Sequence, residues 1–428
     1  MAILIKNALL LDETRKDILI EGNRIKEVGS IEASLHPEAD IIDAARMAVI
    51  PGFVNCHTHA AMTYFRGYGD DLDLMDWLEN MIWPVEAHLT KDDIYWGSRL
   101  ACLEMIKSGT TAFLDMYTYP EATAQAVIDS GMRAVLSYTM FDRWDDTRAK
   151  LDRERCSYYY DLFSKMPERV QFAVGPHAIY TVSAPQLQFA HKFSEEHDCL
   201  VNLHLAETYK EWQDSTREFG MTPVRYLKKL GILSPRLVLA HSLWMDSEEL
   251  QMLADHGCST VHNPASNMKL ASGYNFRYIE MKEKGIKVGL GTDGCSSSNN
   301  LDMVVAMKLA SLLGKAWRFD PKALRADQIL ETATTTGAEI LRIDGGRIEA
   351  GALADLCLID LTLPEMTPLH NLTSNLVFAA AGNCVDTTII DGQILMRHRQ
   401  VKEEDMIKAK GQEVTNDLFE RSRRLNSK

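Results

Sequence analysis

The sequence predicts an α/β protein: a (β/α)8 barrel of the TIM type, carrying a small discontinuous β-sandwich domain formed by both termini. Three observations lead there. Between about residues 50 and 345, short apolar β-like runs alternate with longer helical stretches, the sign of a parallel sheet with crossover helices. Eight such runs can be counted, the number that closes a barrel of this kind. Both ends of the chain read instead as short β segments joined by turn signals. The expected division is a composite β domain of residues 1–50 and 346–428, with a C-terminal helix, around a barrel domain of residues 51–345.

Taken in order, ILIKNALLLD and DILIEGNRIKEVG form the first extended segments, with Gly22-Asn23 as a turn. The barrel runs follow as FVNCHTH (53–59), TTAFLDM (110–116), RAVLSYT (133–139), VQFAVGPH (170–177), CLVNLHL (199–205), RLVLAHS (236–242), CSTVHN (258–263) and KVGLGTD (287–293). The β pattern then returns in ADLCLIDL and TTIIDGQILM, where Asp391-Gly392 is a strong hairpin signal. EEDMIKAKGQEVTNDLFERSRRL has helical composition and reads as a surface helix.

Composition narrows the function. The 428 residues include 46 Lys+Arg and 60 Asp+Glu, a formal charge of −14, which disfavours nucleic acid or an anionic membrane as partner. At 46% hydrophobic and 25% charged residues the chain can bury a large core. No run reaches the roughly 18 apolar residues of a membrane span, and the first residues lack a basic n-region, so a cytoplasmic protein is expected. The eight cysteines, 56, 102, 156, 199, 258, 295, 357 and 384, include no Cys-x-x-Cys pair, which fits reduced thiols.

The barrel runs end on residues able to bind metal or move protons: His57 and His59, Asp115, His177, His204, His241, His262 and Asp293. In a parallel barrel those ends open onto one face. Any one of these histidines is more often a strand cap or a satisfied core group; the set together is poorly explained that way. His57 and His59 stand at i and i+2 of one strand and share a face. With His204 and Asp293 they give three nitrogens and one oxygen around one divalent metal with a position for water, the catalytic arrangement. Zinc is the first expectation, with iron or manganese also suited to these ligands. Glu207, three residues past His204, is a candidate proton shuttle; the bland reading is a glutamate favoured at a helix N-terminus. His241 either orients the water or is a fourth nitrogen ligand.

Gly289-Leu-Gly-Thr-Asp-Gly294 fits a dinucleotide-binding pattern but sits at the end of the alternating region. No acidic residue occupies 309–318, where a ribose would be held. Glycines there let the backbone pass close to a metal centre. Trp77, Trp83 and the Met-rich stretch near 62–81 read as lid or core packing, with some lining a pocket.

These residues resemble the amidohydrolase superfamily, in the branch of aminohydrolases acting on 5′-methylthioadenosine and S-adenosylhomocysteine. The resemblance is carried by PGFVNCHTHAAMTYFRGYGDDLDLMDWLENMIWPVEAHL, GPHAIYTVS, VNLHLAET, LAHSLWM, HNPASNMKLASG, GLGTDG, GALADLCLIDL and VDTTIIDG, in order along nearly the whole chain. It implies that His57, His59, His204 and Asp293 hold the metal and that Glu207, His241 and Asp293 are catalytic. It implies a ribose-binding Glu86 in the WP-x-E motif and a substrate-contacting His177, with Trp83, Arg148 and Ser297 completing the substrate-binding set. Histidine rather than a bridging lysine at position 177 implies a single metal.

The implied reaction is hydrolytic deamination of an adenosine-type nucleoside, with Glu207 protonating ring N1, Asp293 accepting the water proton and ammonia leaving. One position departs from the branch: Tyr138 stands where an arginine often holds the carboxylate of S-adenosylhomocysteine. Arg143 and Arg148 are candidates to compensate, and methylthioadenosine, 5′-deoxyadenosine and adenosine itself stand beside S-adenosylhomocysteine as expected substrates. The competing expectations are a deaminase or chlorohydrolase of guanine, a pterin or a triazine, and, more distantly, a non-catalytic barrel scaffold. Homo-oligomerisation enters only by analogy with relatives.

Overall fold

The computed structural model describes residues 2–426. Eight parallel strands follow one another in sequence order: β1 (Phe53–Thr58), β2 (Thr110–Tyr117), β3 (Arg133–Met140), β4 (Val170–Pro176), β5 (Leu200–Leu205), β6 (Leu237–His241), β7 (Ser259–His262) and β8 (Lys287–Leu290). Each coincides with an expected run. The runs were legible because these strands are buried on both faces, which demands near-continuous apolar sequence.

The seam between β8 and β1 is closed by a side chain as well as by backbone. Asn55 Nδ2 donates to Thr292 Oγ1 at 2.7 Å while Asn55 Oδ1 accepts the Thr292 N–H at 3.1 Å. The Asp293 N–H then donates to the His57 carbonyl at 3.0 Å. A Cβ on Gly289 would sit 2.7 Å from Cys56 Sγ, and one on Gly291 would sit 2.9 Å from the His57 oxygen. The glycines of GLGTDG therefore serve close approach at the seam, as expected, and not a dinucleotide.

Two apolar layers surround the strands. Leu114, Val135, Val238 and Val261 form one buried cluster near the strand starts with Ala338 and Ile340 of helix Thr335–Ile340, which packs on β8 and β1 and covers that end. Phe113, Leu136, Val174, Leu203 and Leu239 point outward against the helices. The plugged end leaves the strand C-terminal ends as the open face.

Both termini build one continuous nine-stranded sheet. Strand Met47–Pro51 joins its arms, pairing parallel with Ile3–Leu9 and antiparallel with Leu356–Asp360. The arms share a core that includes Ile5, Ile20, Leu356 and Ile389, so the expected β-sandwich is a single sheet closing over its own apolar face. Both expected hairpins are present; Asp391 and Gly392 have φ of 51° and 70°, the left-handed pair such a turn requires.

The C-terminal helix, Glu404–Asn426, packs on Lys91–Lys107 of the barrel. Val414 and Leu418 join a cluster with Phe65, Trp77 and Val85, and Arg421 pairs with Asp93 at 2.7 Å. Its other face is exposed, as a surface helix requires. No helix among the described residues is long and apolar enough to cross a membrane.

Candidate metal centre and cavity

At the open face the strand ends converge. His57, His204, His241 and Asp293 each offer a donor atom, all within 4.8 Å of one another. His59 adjoins them, its Nε2 3.1 Å from Asp293 Oδ1 and 3.3 Å from His204 Nε2. The structure thus brings together every residue expected at the metal, with His241 as close to the group as the rest.

Three of the four rings are aimed by their other nitrogen. His59 Nδ1 meets the Met116 carbonyl at 2.5 Å, His204 Nδ1 the His177 carbonyl at 2.8 Å, and His241 Nδ1 the Asn267 Oδ1 at 2.8 Å. These bonds leave the Nε2 atoms for the centre, the outer support metal-binding imidazoles need. Asp293 is fixed through Oδ2, which accepts from Ser266 and Ser297 hydroxyls, both at 2.6 Å. Its backbone, at φ 60°, is held by the His57 carbonyl and by Thr58 Oγ1, which donates to the Asp293 carbonyl.

Fitness for a cation can be tested on these atoms. His57 is fully buried with neither nitrogen hydrogen-bonded, and Asp293 Oδ1 is likewise buried without a hydrogen-bond partner. Orphaned polar atoms are costly in a core unless a ligand satisfies them. Burial pushes His57 down to about 4 and His241 and His204 below their ordinary value, keeping these three rings neutral as metal ligands require, whereas burial at His59 is outweighed by the Asp293 carboxylate, which pushes it up to about 9, a proton that a bound cation would displace. Burial works against the charge on Asp293, yet His57 and His59 hold its carboxyl well below the usual range. The donor set therefore fits a divalent metal ion.

Glu207 sits beside the cluster, Oε2 3.8 Å from His241 Nε2, and burial together with the Asp293 charge pushes its carboxyl up to about 8. Its backbone turns sharply after β5, with Ala206 at φ 51°. The Glu211 carboxylate accepts both N–H groups of that turn, from Ala206 at 3.0 Å and Glu207 at 2.8 Å. Sequence reasoning missed Glu211. The signal available was Thr208-x-x-Glu211, a helix N-cap followed by an N3 glutamate whose side chain reaches back. Asn267 and Ser266 were also missed, lying on the short helix Pro264–Lys269 inside the HNPASNM segment.

A cavity of about 900 Å³ opens above the centre. Glu86, His177, Trp83, Arg148 and Ser297, all expected to contact substrate, line it. Glu86 Oε1 accepts from Tyr117 OH at 2.5 Å, and burial raises its carboxyl above the ordinary value. His177 Nδ1 lies 2.9 Å from Thr181 Oγ1. Tyr138 OH donates to Asp152 Oδ1 at 2.8 Å, and the Arg143 guanidinium lies 4.6 Å from the Trp83 ring centroid and 4.8 Å from that of Phe141.

Two strand-end residues stay outside both the centre and the cavity wall. Asp115 accepts the Ala60 N–H at 2.6 Å and so shapes the turn after His59. His262 stacks on Phe276 at 4.1 Å and is absent from the cavity wall, a core histidine.

Comparison with known proteins agrees with this geometry. Residues 48–395 match the amidohydrolase family. A 5-methylthioadenosine/S-adenosylhomocysteine deaminase of Thermococcus kodakarensis is 44% identical over 403 residues, covering 92% of this chain and 94% of that protein. A 5′-deoxyadenosine deaminase of Methanospirillum hungatei is 43% identical over 423 residues, covering 98% and 94%. Among solved structures, an adenosine deaminase from Xanthomonas campestris with bound zinc superposes with a TM-score of 0.91 at 30% identity, covering 97% of this chain and 98% of that one. An atrazine chlorohydrolase from Arthrobacter aurescens, at 24% identity and a TM-score of 0.89, shares the fold. With that likeness running along nearly its whole length, and with the buried histidine and aspartate cluster at the barrel mouth, the chain belongs to the amidohydrolase family.

Proposed function

We propose that the protein is an aminohydrolase that hydrolytically deaminates an adenosine-type nucleoside, giving the inosine analogue and ammonia. One observation carries the reading: a buried Glu207, its carboxyl pushed up by burial and the Asp293 charge, stands between the histidine and aspartate cluster and a cavity that also presents Glu86. The names of the 44% and 43% identical relatives support the same substrate class.

His57, His59, His204 and Asp293 would hold the ion, and zinc is the metal we assign from the nitrogen and oxygen donors. Such an ion supplies Lewis acidity that makes water a nucleophile near neutral pH. Glu207 gives its proton to purine N1 as water attacks C6, and Asp293 takes the proton that the water loses. His241 Nε2, facing both carboxylates, orients the attacking water. Ser297 and Ser266 keep Asp293 directed at it. Glu86, held by Tyr117, receives the ribose hydroxyls, while Trp83 and His177 enclose the nucleoside and exclude water.

The far end of the cavity bears on the 5′ substituent. Tyr138 spends its hydroxyl on Asp152 and offers nothing to a carboxylate, which favours neutral tails such as methylthio or 5′-deoxy. A second reading has its own support: Arg143 and Arg148 line the cavity and make no ion pair among the described residues, so they can receive a carboxylate-bearing tail. We also assign the catalytic work to residues 51–345 and a supporting role to 1–50 and 346–428, since every site residue named lies in the former. A cytoplasmic location is part of this proposal, on the scattered cysteines.

Ammonia release from adenosine, 5′-deoxyadenosine, methylthioadenosine, S-adenosylhomocysteine, guanine and a pterin, assayed with zinc-loaded protein, tests the reading. Turnover confined to the adenosines is expected. Turnover of guanine or the pterin alone, or full activity after metal removal, would overturn it.

A further inference from the structure

Glu86 stands on no barrel strand, so its place at the cavity wall has to be set by other parts of the chain. The arm that carries it runs as a short helix, Leu74–Trp77, a wide turn, Leu78–Ile82, and a second short helix, Trp83–Glu86. In the wide turn the Trp83 N–H donates to the Leu78 carbonyl, five residues back where an α-helix reaches back four. Pro84 gives the reason. In an α-helix its ring would strike the Asn80 carbonyl, so the chain takes up one extra residue before it. Ordinary bonding then resumes, with the Ala87 N–H on the Trp83 carbonyl at 3.0 Å.

That extra residue decides which side chains meet the cavity. Leu74, Trp77 and Leu78 line it from the first helix, and in an unbroken α-helix the same face would continue through Met81, Ile82 and Val85. Trp83 and Glu86 line it instead, one residue on. Ile82 and Val85 are buried among Phe65, Leu89 and Leu418. Glu86 therefore reaches the cavity only while the arm keeps this register.

Helices of four residues do not hold an orientation by their own hydrogen bonds. The C-terminal helix supplies the hold. Its Val414 and Leu418 share the apolar cluster of Val85, and one turn further on Arg421 forks. Nη1 of Arg421 donates to the His88 carbonyl at 3.1 Å, and Nη2 donates to both carboxylate oxygens of Asp93, at 2.7 and 2.8 Å. Ser422 Oγ donates to the Pro84 carbonyl at 3.4 Å. Asp93 is itself fixed at the start of helix Lys91–Lys107, accepting from the Thr90 N–H at 2.7 Å and the Thr90 hydroxyl at 2.8 Å. Contacts at Pro84 and His88 thus bracket Glu86 and tie the arm to a long barrel helix.

We propose that Arg421 is a positioning residue for the nucleoside: by holding the backbone at His88 it keeps Glu86 in register with the cavity, so the C-terminal helix takes part in specificity. The proposal rests on the assignment of Glu86 to the ribose. Tyr117 aims the carboxylate from the cavity side, and Arg421 fixes the backbone that presents it.

The test is a double-mutant cycle on full-length, zinc-loaded protein. Arg421→Ala should raise KM for adenosine by about five- to tenfold, with kcat and the inhibition constant of free adenine within about twofold of wild type and zinc content unaltered. In a Glu86→Ala background the same replacement should leave KM within about twofold, because the side chain it acts through is gone. Arg421→Lys keeps a charge beside Asp93 but loses the fork that serves two partners, and its KM should fall between. Should Arg421→Ala fail to fold, Arg421→Lys carries the same cycle at smaller amplitude. A merely structural role would shift kcat, adenine inhibition and zinc content together with KM. That pattern, an unchanged KM, or an equal rise in both backgrounds would overturn the proposal. If Glu86→Ala by itself leaves KM for adenosine unchanged, the ribose assignment is what fails, and the positioning role falls with it.

Discussion

Glu211 holds Glu207 through the backbone: one carboxylate oxygen accepts the Glu207 N–H at 2.8 Å and the other accepts that of Ala206 at 3.0 Å. The pair fixes a left-handed turn that an alanine would not adopt unaided. Burial pushes the Glu211 carboxyl up to about 8, against an ordinary 4.5. Between those values the unfolded chain has released the proton and the folded chain still binds it, so stability falls as pH rises from about 4.5 to 8. Metal-free protein unfolded by urea at pH 5.5 and at pH 8 should show this loss. Glu211→Gln should be less stable at pH 5.5 and should lose part of that pH dependence; a wild-type dependence retained in full by the variant would sink the assignment.

Glu207 is the group whose chemistry depends on that turn. A raised carboxyl pKa means it holds its proton at neutral pH and can donate it. A divalent ion nearby draws the value down from about 8, so kcat/KM should decline on the alkaline side with a midpoint no higher than that. Glu207→Gln should keep zinc and lose roughly 10²–10⁴-fold in kcat, as removal of a general acid does. Near-normal turnover with unaltered metal content would reassign the proton transfer.

Asn267 sets the tautomer of His241. With Asn267 Oδ1 accepting from Nδ1 at 2.8 Å, the proton sits on Nδ1 and Nε2 presents its lone pair to the centre. Asn267→Ala removes the acceptor inside the barrel rim and frees the ring to take the other tautomer. Metal affinity or kcat should drop by about 10–100-fold, and zinc titration of the stripped variant against wild type separates the two effects.

How far the sequence spoke follows from what each residue answers to. The barrel strands answer to burial on both faces, a demand that local sequence satisfies with Val, Leu and Ala, and their terminal His and Asp residues stand out against that background. His57, His59, His204, His241 and Asp293 were therefore legible. Glu211, Ser266 and Asn267 answer to partners brought close only by the fold; in sequence they are ordinary polar residues of short helices. Glu86 was found by resemblance alone, and Trp83 stood out beforehand only as lid or pocket packing, because the segment 74–86 has no strand to anchor it and is packed by Val414 and Leu418 from the far end of the chain.

Glu86 is the residue to which we assign recognition of the ribose. Its carboxylate is oriented by Tyr117 OH and faces the cavity. A hydrogen bond to a charged group contributes about 1.5–3 kcal/mol, so Glu86→Ala should raise KM for adenosine by roughly 10–100-fold. Inhibition by free adenine should hardly change. Equal effects on nucleoside and base would remove the ribose contact.

We assign the reading of a charged 5′ tail to Arg143. Its guanidinium is steadied by Trp83 and Phe141, contacts that orient it without neutralising it, whereas the nearby Tyr138 and Asp152 satisfy each other. A carboxylate on the 5′ substituent can therefore find an unpaired cation, while a methylthio group gains only apolar contact. Arg143→Ala should raise KM for S-adenosylhomocysteine by about 10–100-fold, the range of a charge-assisted hydrogen bond, and leave methylthioadenosine nearly unaffected. A comparable loss on both nucleosides would mean that Arg143 serves the shape of the Trp83 wall instead, and that the tail is read as neutral.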